Sequence, residues 1–239
     1  MAEPSSHRLA VLIDADNAPP GVAAELMTEV GRHGTATVRR AYGDWTTGSL
    51  SGWKERLHTH AIQPVQQFRL TSGKNATDSA MIIDAMDMLH GGRLDGFCIV
   101  SSDSDYTRLA TRIRESGLLV YGFGEKKTPK PFVAACNKFI FTEFLRAPGE
   151  APAPLATGHA SLRPLLSKAI TAAAGDDGWA FLAVVGSLVS NANPQFDPRK
   201  YGKKKLGDLI KMQDYVEVKS KQFSDGSPTS MVFVRLKEP

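Results

Sequence analysis

Five aspartates stand where a carboxylate could do chemistry: Asp14 and Asp16 in Ile13-Asp14-Ala15-Asp16-Asn17, Asp78 in Ala76-Thr77-Asp78-Ser79, and Asp103 and Asp105 in Ser101-Ser102-Asp103-Ser104-Asp105-Tyr106. Carboxylates gathered at one place repel and raise one another's pKa values unless a cation neutralises them. Oxygen ligands with no His or Cys among them favour Mg²⁺ or Mn²⁺ over zinc. Such an ion can activate a water and stabilise the charge that develops on a phosphodiester, so the chemistry implied is phosphodiester hydrolysis. Each aspartate also has a plainer reading. Asp78 can favour a helix dipole and Asp105 can cap a helix, each for about 0.3–2 kcal/mol. Asp16, followed by Asn17-Ala18-Pro19-Pro20, suits a turn and a helix start. Asp14 and Asp103 are harder to explain this way, because a carboxylate ending a buried strand needs partners.

The elements that position these groups follow from the hydrophobic pattern. Leu9-Ala10-Val11-Leu12-Ile13 is a continuous apolar run of the kind found in a strand buried on both faces. Further strands are expected at 36–42, 61–68, 97–100 and 118–123, separated by helix-length segments. The clearest helix spans Thr77 to Leu89, with Met81, Ile82, Ala85, Met86 and Leu89 on one face. This alternation predicts an α/β domain with a mainly parallel sheet covered by helices. Asp14 and the Asp103/Asp105 pair then lie at carboxyl ends of strands, the edge where open α/β sheets place ligands, and Asp78 projects from a helix start at that same edge. Asp84, six residues after Asp78 and about 120° away round the helix, is a secondary candidate. Near this edge Trp45 could stack on a base, for about 1–3 kcal/mol, and Lys74 could hold a phosphate; packing and a solvated loop are their alternatives.

Residues 147–160 carry three prolines and no usable periodicity, which predicts a linker reaching roughly 20 Å if flexible. Beyond it, helices are expected near 162–173, 179–191 and 203–212, followed by strands at 215–218 and 231–234 joined through Ser224-Asp225-Gly226-Ser227-Pro228. Three helices and a β-hairpin make a small winged-helix domain. The domains are therefore 1–146 and 161–239, with the linker between. Charge divides at the same place: residues 1–150 hold 17 Lys/Arg against 17 Asp/Glu, so the whole net charge of +4 lies beyond them. A basic second part suits a polyanion, and the run Arg199, Lys200, Lys203, Lys204 and Lys205 is its densest stretch. Lysines at a helix start oppose the helix dipole, which favours a phosphate partner over a merely solvated face. Cys98 and Cys136 sit in apolar contexts without metal-ligand spacing and read as buried free thiols. The polar opening Met1 to Arg8, and the absence of any run near the roughly 18 apolar residues of a membrane span, predict a cytoplasmic protein.

Ile13-Asp14-Ala15-Asp16-Asn17, Gly73-Lys74-Asn75-Ala76-Thr77-Asp78 continuing to Asp84-Ala85, and Ser101-Ser102-Asp103-Ser104-Asp105-Tyr106, in that order, resemble the NYN domains, PIN-like nucleases of the limkain and LabA type, over about residues 8–146. The resemblance implies a PIN-like fold and a metal-dependent ribonuclease core. Asp14, Asp78 and Asp103 match its acidic ligands, Asp105 and Asp84 match further acidic positions, and Asn17 matches the polar companion of the first aspartate. In the second part, Gly178-Trp179-Ala180-Phe181 leading to Phe196-Asp197-Pro198-Arg199-Lys200-Tyr201-Gly202 resembles the LOTUS, or OST-type helix-turn-helix, domain over about residues 161–238. That resemblance implies RNA, single-stranded or structured, as partner, with protein contacts also known for the family. Trp179, Phe181, Phe196 and Leu206 are expected in its core. The function these features support is a Mg²⁺- or Mn²⁺-dependent endoribonuclease with an RNA-binding module. The alternatives are a non-catalytic RNA-binding adaptor and a haloacid-dehalogenase-like phosphatase, in which Asp14 and Asp16 would be nucleophile and acid.

Overall fold

The computed structural model describes residues 7–68, 76–145, 159–222 and 230–237. The chain forms two compact units, Met1–Ala151 and Pro152–Pro239. The expected linker, Lys74 and the turn at 224–228 lie outside the described residues, apart from the first residues of the helix that opens the second unit.

In the first unit a six-stranded parallel sheet is built from β1 (Arg8–Asp14), β2 (Thr35–Gly43), β3 (Gln63–Gln66), β4 (Gly96–Val100), β5 (Leu119–Gly124) and β6 (Lys138–Phe141), in the order β3-β2-β1-β4-β5-β6. The uninterrupted apolar runs of β1 and β4 are explained by burial on both sides. Leu9, Val11, Ile13, Cys98 and Val100 face one core, packed with α1 (Ala23–Gly31) and α2 (Lys54–Thr59). Ala10, Leu12, Phe97 and Ile99 face the other, packed with α3 (Ala76–His90), α4 (Thr107–Glu115) and α5 (Lys130–Ala135). Both cysteines are buried free thiols.

The strand order reverses between β1 and β4, which are neighbours although two strands and three helices separate them in sequence. Chains leaving the carboxyl ends of two such strands go to opposite sides and open a crevice between them. Gly124, ending β5, is required beside it: a Cβ there would lie 2.6 Å from the carbonyl oxygen of Ser101. Two elements differ from the sequence expectation. β3 covers four residues at the sheet edge rather than 61–68, and Pro64 within it lacks the N–H of a regular ladder. β6 was not expected at all, because its four residues are too short to show a pattern.

The second unit has α6 (His159–Ala173), α7 (Leu182–Ala192) and α8 (Leu206–Lys211), with an antiparallel sheet in the order β7-β9-β8 formed by β7 (Ala180–Phe181), β8 (Val216–Gln222) and β9 (Ser230–Leu236). Its core joins Leu162, Leu166, Ile170, Val185, Val189, Phe196, Leu209, Ile210 and Val234. This is the expected winged-helix arrangement with one strand more: Ala180 and Phe181 pair with Val234 and Phe233, so α7 begins at Leu182 rather than at 179. The third helix is also shorter than 203–212. Pro198 opens a 3-10 turn and Gly202 closes it at φ 72°, a left-handed conformation that halts a helix, so Lys203, Lys204 and Lys205 fall in the link ahead of α8. No helix among the described residues is long and apolar enough to cross a membrane.

Candidate active site

Three segments, the end of β1 with its loop, the start of α3 and the loop after β4, bring the aspartates to the crevice between β1 and β4. Asp14 closes β1 with no exposed surface. Its Oδ2 accepts from the Asn17 side-chain amide at 2.7 Å and from the Ser101 hydroxyl at 2.9 Å, while its Oδ1 is buried with no hydrogen-bond partner. Burial pushes its pKa up to about 6 against the two hydrogen bonds, which pull it down; the charges of Asp78 and Asp16 push it further up. Asp16, expected as turn chemistry, also belongs to this edge, where its Oδ2 accepts from the Thr77 hydroxyl of α3 at 2.9 Å.

Asp78 lies in the first turn of α3, half-buried, and accepts from the Tyr106 hydroxyl at 2.7 Å. Its pKa is raised, first by burial and then by Asp103, Asp105 and Asp16, with the Tyr106 bond opposing. Tyr106 is fully buried, and burial beside Asp14 and Asp78 pushes its phenol far above the ordinary range, so it remains a proton donor. Asp103 caps the 3-10 turn Ser104–Tyr106: its Oδ1 accepts from the Asp105 N–H at 3.0 Å. The Asp103 N–H in turn donates to the Ser101 hydroxyl at 3.1 Å, so Ser101 ties the Asp103 loop to Asp14.

One carboxylate oxygen each of Asp78, Asp103 and Asp105 lies within 4.8 Å of the others. This donor set fits a hard divalent cation. It is all oxygen, it opens to solvent at Asp105, and beside it Asp14 keeps an unpartnered oxygen with a raised pKa, both of which a cation would relieve.

Within the first unit, Asp84 and Trp45 stand outside this group. Asp84 is engaged by β2, its Oδ2 accepting from Arg40 Nη1 at 2.7 Å and from the Tyr42 hydroxyl at 2.8 Å, so its charge is already answered. Trp45 is half-buried on the β1 core, its indole N–H donating to the Val65 carbonyl at 3.0 Å and its backbone N–H to the Gln66 side chain. That is the packing role. In the second unit Arg199 grips Asp197 with its guanidinium, Nη2 to Oδ2 at 2.6 Å, and thereby fixes the 3-10 turn that Asp197 caps. Lys200 and Lys203 are half-buried, and Lys204 and Lys205 exposed. Phe196 is in the core as expected and Leu206 packs on it; Phe181, by contrast, is 38% exposed and Trp179 half-buried on the sheet.

Sequence reasoning missed Ser101, Tyr106 and Thr77, the neutral groups that hold the carboxylates. The signal was present in two of the motifs, where hydroxyl residues flank Asp78, Asp103 and Asp105, yet nothing in spacing alone says which hydroxyl turns inward.

The NYN domain model matches residues 8–144, and the OST-HTH/LOTUS domain model matches residues 154–227. No curated protein matches the chain. Among solved structures, a protein of unknown function from Vibrio parahaemolyticus is 15% identical with a TM-score of 0.50, covering 59% of this chain and 96% of its own. A solution structure from Nitrosomonas europaea is 29% identical over 39% of this chain and 87% of its own, with a TM-score of 0.32. A segment of a Chromobacterium violaceum protein is 32% identical over 36% of this chain and 89% of its own, with a TM-score of 0.27.

Proposed function

Because the chain belongs to the NYN domain family and carries an OST-HTH/LOTUS domain after it, we propose that it is a Mg²⁺- or Mn²⁺-dependent endoribonuclease whose second unit retains the RNA. The observation that carries this reading is the meeting of Asp78, Asp103 and Asp105 within 4.8 Å at the topological switch point, next to a buried Asp14 with an unpartnered oxygen. Asp78, Asp103 and Asp105, with Asp14 behind them, would hold the ion. When bound, it neutralises the carboxylates, activates water and stabilises charge on the phosphodiester.

The chain's own residues keep this arrangement in order. Asn17 and Ser101 orient Asp14 from two different loops, and Tyr106 holds Asp78 against rotation while staying protonated. Asp103 spends one oxygen on capping the turn that carries Asp105, which places the second carboxylate beside the first. Lys203, Lys204 and Lys205 precede a short helix and suit contacts to RNA phosphates, with Arg199 serving the turn that presents them. A binding module tethered to a nuclease raises the local concentration of substrate without adding contacts at the cut. The expected cytoplasmic location belongs to the same reading.

The test is incubation of end-labelled single-stranded RNA with the pure protein, with Mn²⁺ or Mg²⁺ and with chelator, beside Asp103→Asn. Fragments that form only with the ion and only with Asp103 support the nuclease. Tight RNA binding with no cleavage under any ion would instead identify the adaptor.

A further inference from the structure

We propose that the outer face of the β7-β9-β8 sheet is where the second unit takes the unpaired bases of RNA, with Phe181 and Phe233 as stacking rings and Lys219 and Arg235 as phosphate contacts. The inference rests on the RNA reading above and names the surface that serves it.

The sheet has two faces because side chains alternate along each strand. Ala180, Val216 and Val234 turn into the core of the unit. Phe181, Phe233 and Lys219 belong to the opposite side and stand in one row across the three strands, since Phe181 pairs with Phe233 and Lys219 pairs with Phe233. Two residues further along, Glu217 and Arg235 form the next row. The solvated face of an antiparallel sheet is normally polar. Here it carries the Phe181 ring, 38% exposed, at 5.6 Å from the Phe233 ring and tilted by 44°. The core of the unit closes without them.

Cations frame these rings. Lys219 Nζ sits 3.9 Å from the centre of the Trp179 ring and 5.8 Å from that of Phe233, and the Arg235 guanidinium lies 4.8 Å from Trp179. Trp179 thus anchors two cations beside the phenylalanine pair, an arrangement that the ring quadrupole favours. Glu217 pairs with Arg235 at 2.6 Å, but no carboxylate among the described residues stands within ion-pair distance of Lys219, which is exposed, as is Lys221. On the strands of this face Lys219, Lys221 and Arg235 stand against Glu217, with Asp177 at the neighbouring turn, around one exposed ring, Phe181, and one half-buried ring, Phe233; together they complement a ligand that is at once anionic and aromatic. Nucleic acid with accessible bases has that chemistry, and stacking on such a platform tolerates any base.

This surface differs in kind from the lysine run at 203–205. The run offers charge alone, so its share of binding should fall steeply with salt, whereas the stacking share should not. The experiment uses the full chain carrying Asp103→Asn to prevent cleavage, with two fluorescein-labelled probes of equal length and charge: an oligouridine and an abasic ribose-phosphate strand. Phe181→Ser should weaken oligouridine binding about 10-fold while leaving the abasic strand and the salt slope unchanged, and Phe181→Tyr should restore it. Lys219→Glu should weaken both probes. Because Phe181 and Lys219 lie outside the core and lose only the Phe233 and Trp179 contacts, both variants should keep a cooperative melt with a small drop in temperature. Oligouridine binding within twofold of the parent for both variants would overturn the inference; if Lys203→Glu, Lys204→Glu and Lys205→Glu together then abolish binding, the RNA reading survives without it. A parent protein that binds neither probe would overturn both.

Discussion

Replacing Asp14 by Asn removes a carboxyl group that is wholly buried, has one oxygen without a partner and titrates at about 6 instead of 3.8. A raised carboxyl pKa means that the fold prefers the protonated form. The stability this confers is complete below about pH 3.8 and is lost as pH rises through 6. The shift corresponds to about 3 kcal/mol forfeited by neutral pH when no cation is present. Asn is neutral at every pH and forfeits nothing, although its amide nitrogen near the unpartnered position costs a fixed amount, about 1–3 kcal/mol. The slope is therefore the observable, not the absolute stability. Melting curves of the full chain in chelator, from pH 4 to pH 8, should converge or cross, with wild type losing about 6–12 °C more than Asp14→Asn over that range. Trp179→Phe in both backgrounds leaves Trp45 and Trp53 to report the first unit by fluorescence. Mn²⁺ should abolish most of the wild-type loss at pH 8 and stabilise the variant by less, since Asp78, Asp103 and Asp105 remain. Parallel curves in chelator would refute the reasoning, because Asp14 would then not be paying for its burial.

Tyr106→Phe deletes the hydroxyl that holds Asp78 and should raise the Mn²⁺ concentration for half-maximal cleavage about 10- to 100-fold, the range typical of lost support to a metal ligand, with the fold retained. Asp84→Asn should cost about 1–2 kcal/mol in a denaturant melt by loosening Arg40 and Tyr42, and should leave cleavage within about twofold, since its carboxylate serves β2 rather than the ion. Changing Lys203, Lys204 and Lys205 together to Glu should weaken RNA binding and flatten its salt dependence, yet preserve cleavage of short RNA at saturating concentration; titrations at several salt concentrations check this.

Much of the first unit could be read from the chain because its strands are buried on both faces, which turns β1 and β4 into uninterrupted apolar runs ending in polar residues. The aspartates then fall at strand ends by arithmetic alone. β6 escaped because four residues cannot establish a period, and Asp84 was misleading because helical spacing says nothing of Arg40, 44 positions earlier, until β2 is placed against α3. Arg199 looked like a phosphate contact for the same reason: its partner Asp197 is two residues away, but only the turn brings the guanidinium back onto it. Phe181 looked like core because an aromatic beside Trp179 and Ala180 suits a buried helix start. The pairing of Ala180 with Val234 instead makes a strand there, and alternation sends Ala180 in and Phe181 out.

The most direct measurement follows the pure protein acting on a circular single-stranded RNA, which has no ends to digest, in Mn²⁺ and in chelator, alongside Asp78→Asn and Asp103→Asn. The account predicts linear fragments from wild type in Mn²⁺, none in chelator, and a loss of at least about 100-fold in both variants, as expected when a ligand to a catalytic ion is removed. Cleavage that persists in chelator, or that both variants retain at the wild-type rate, would contradict it.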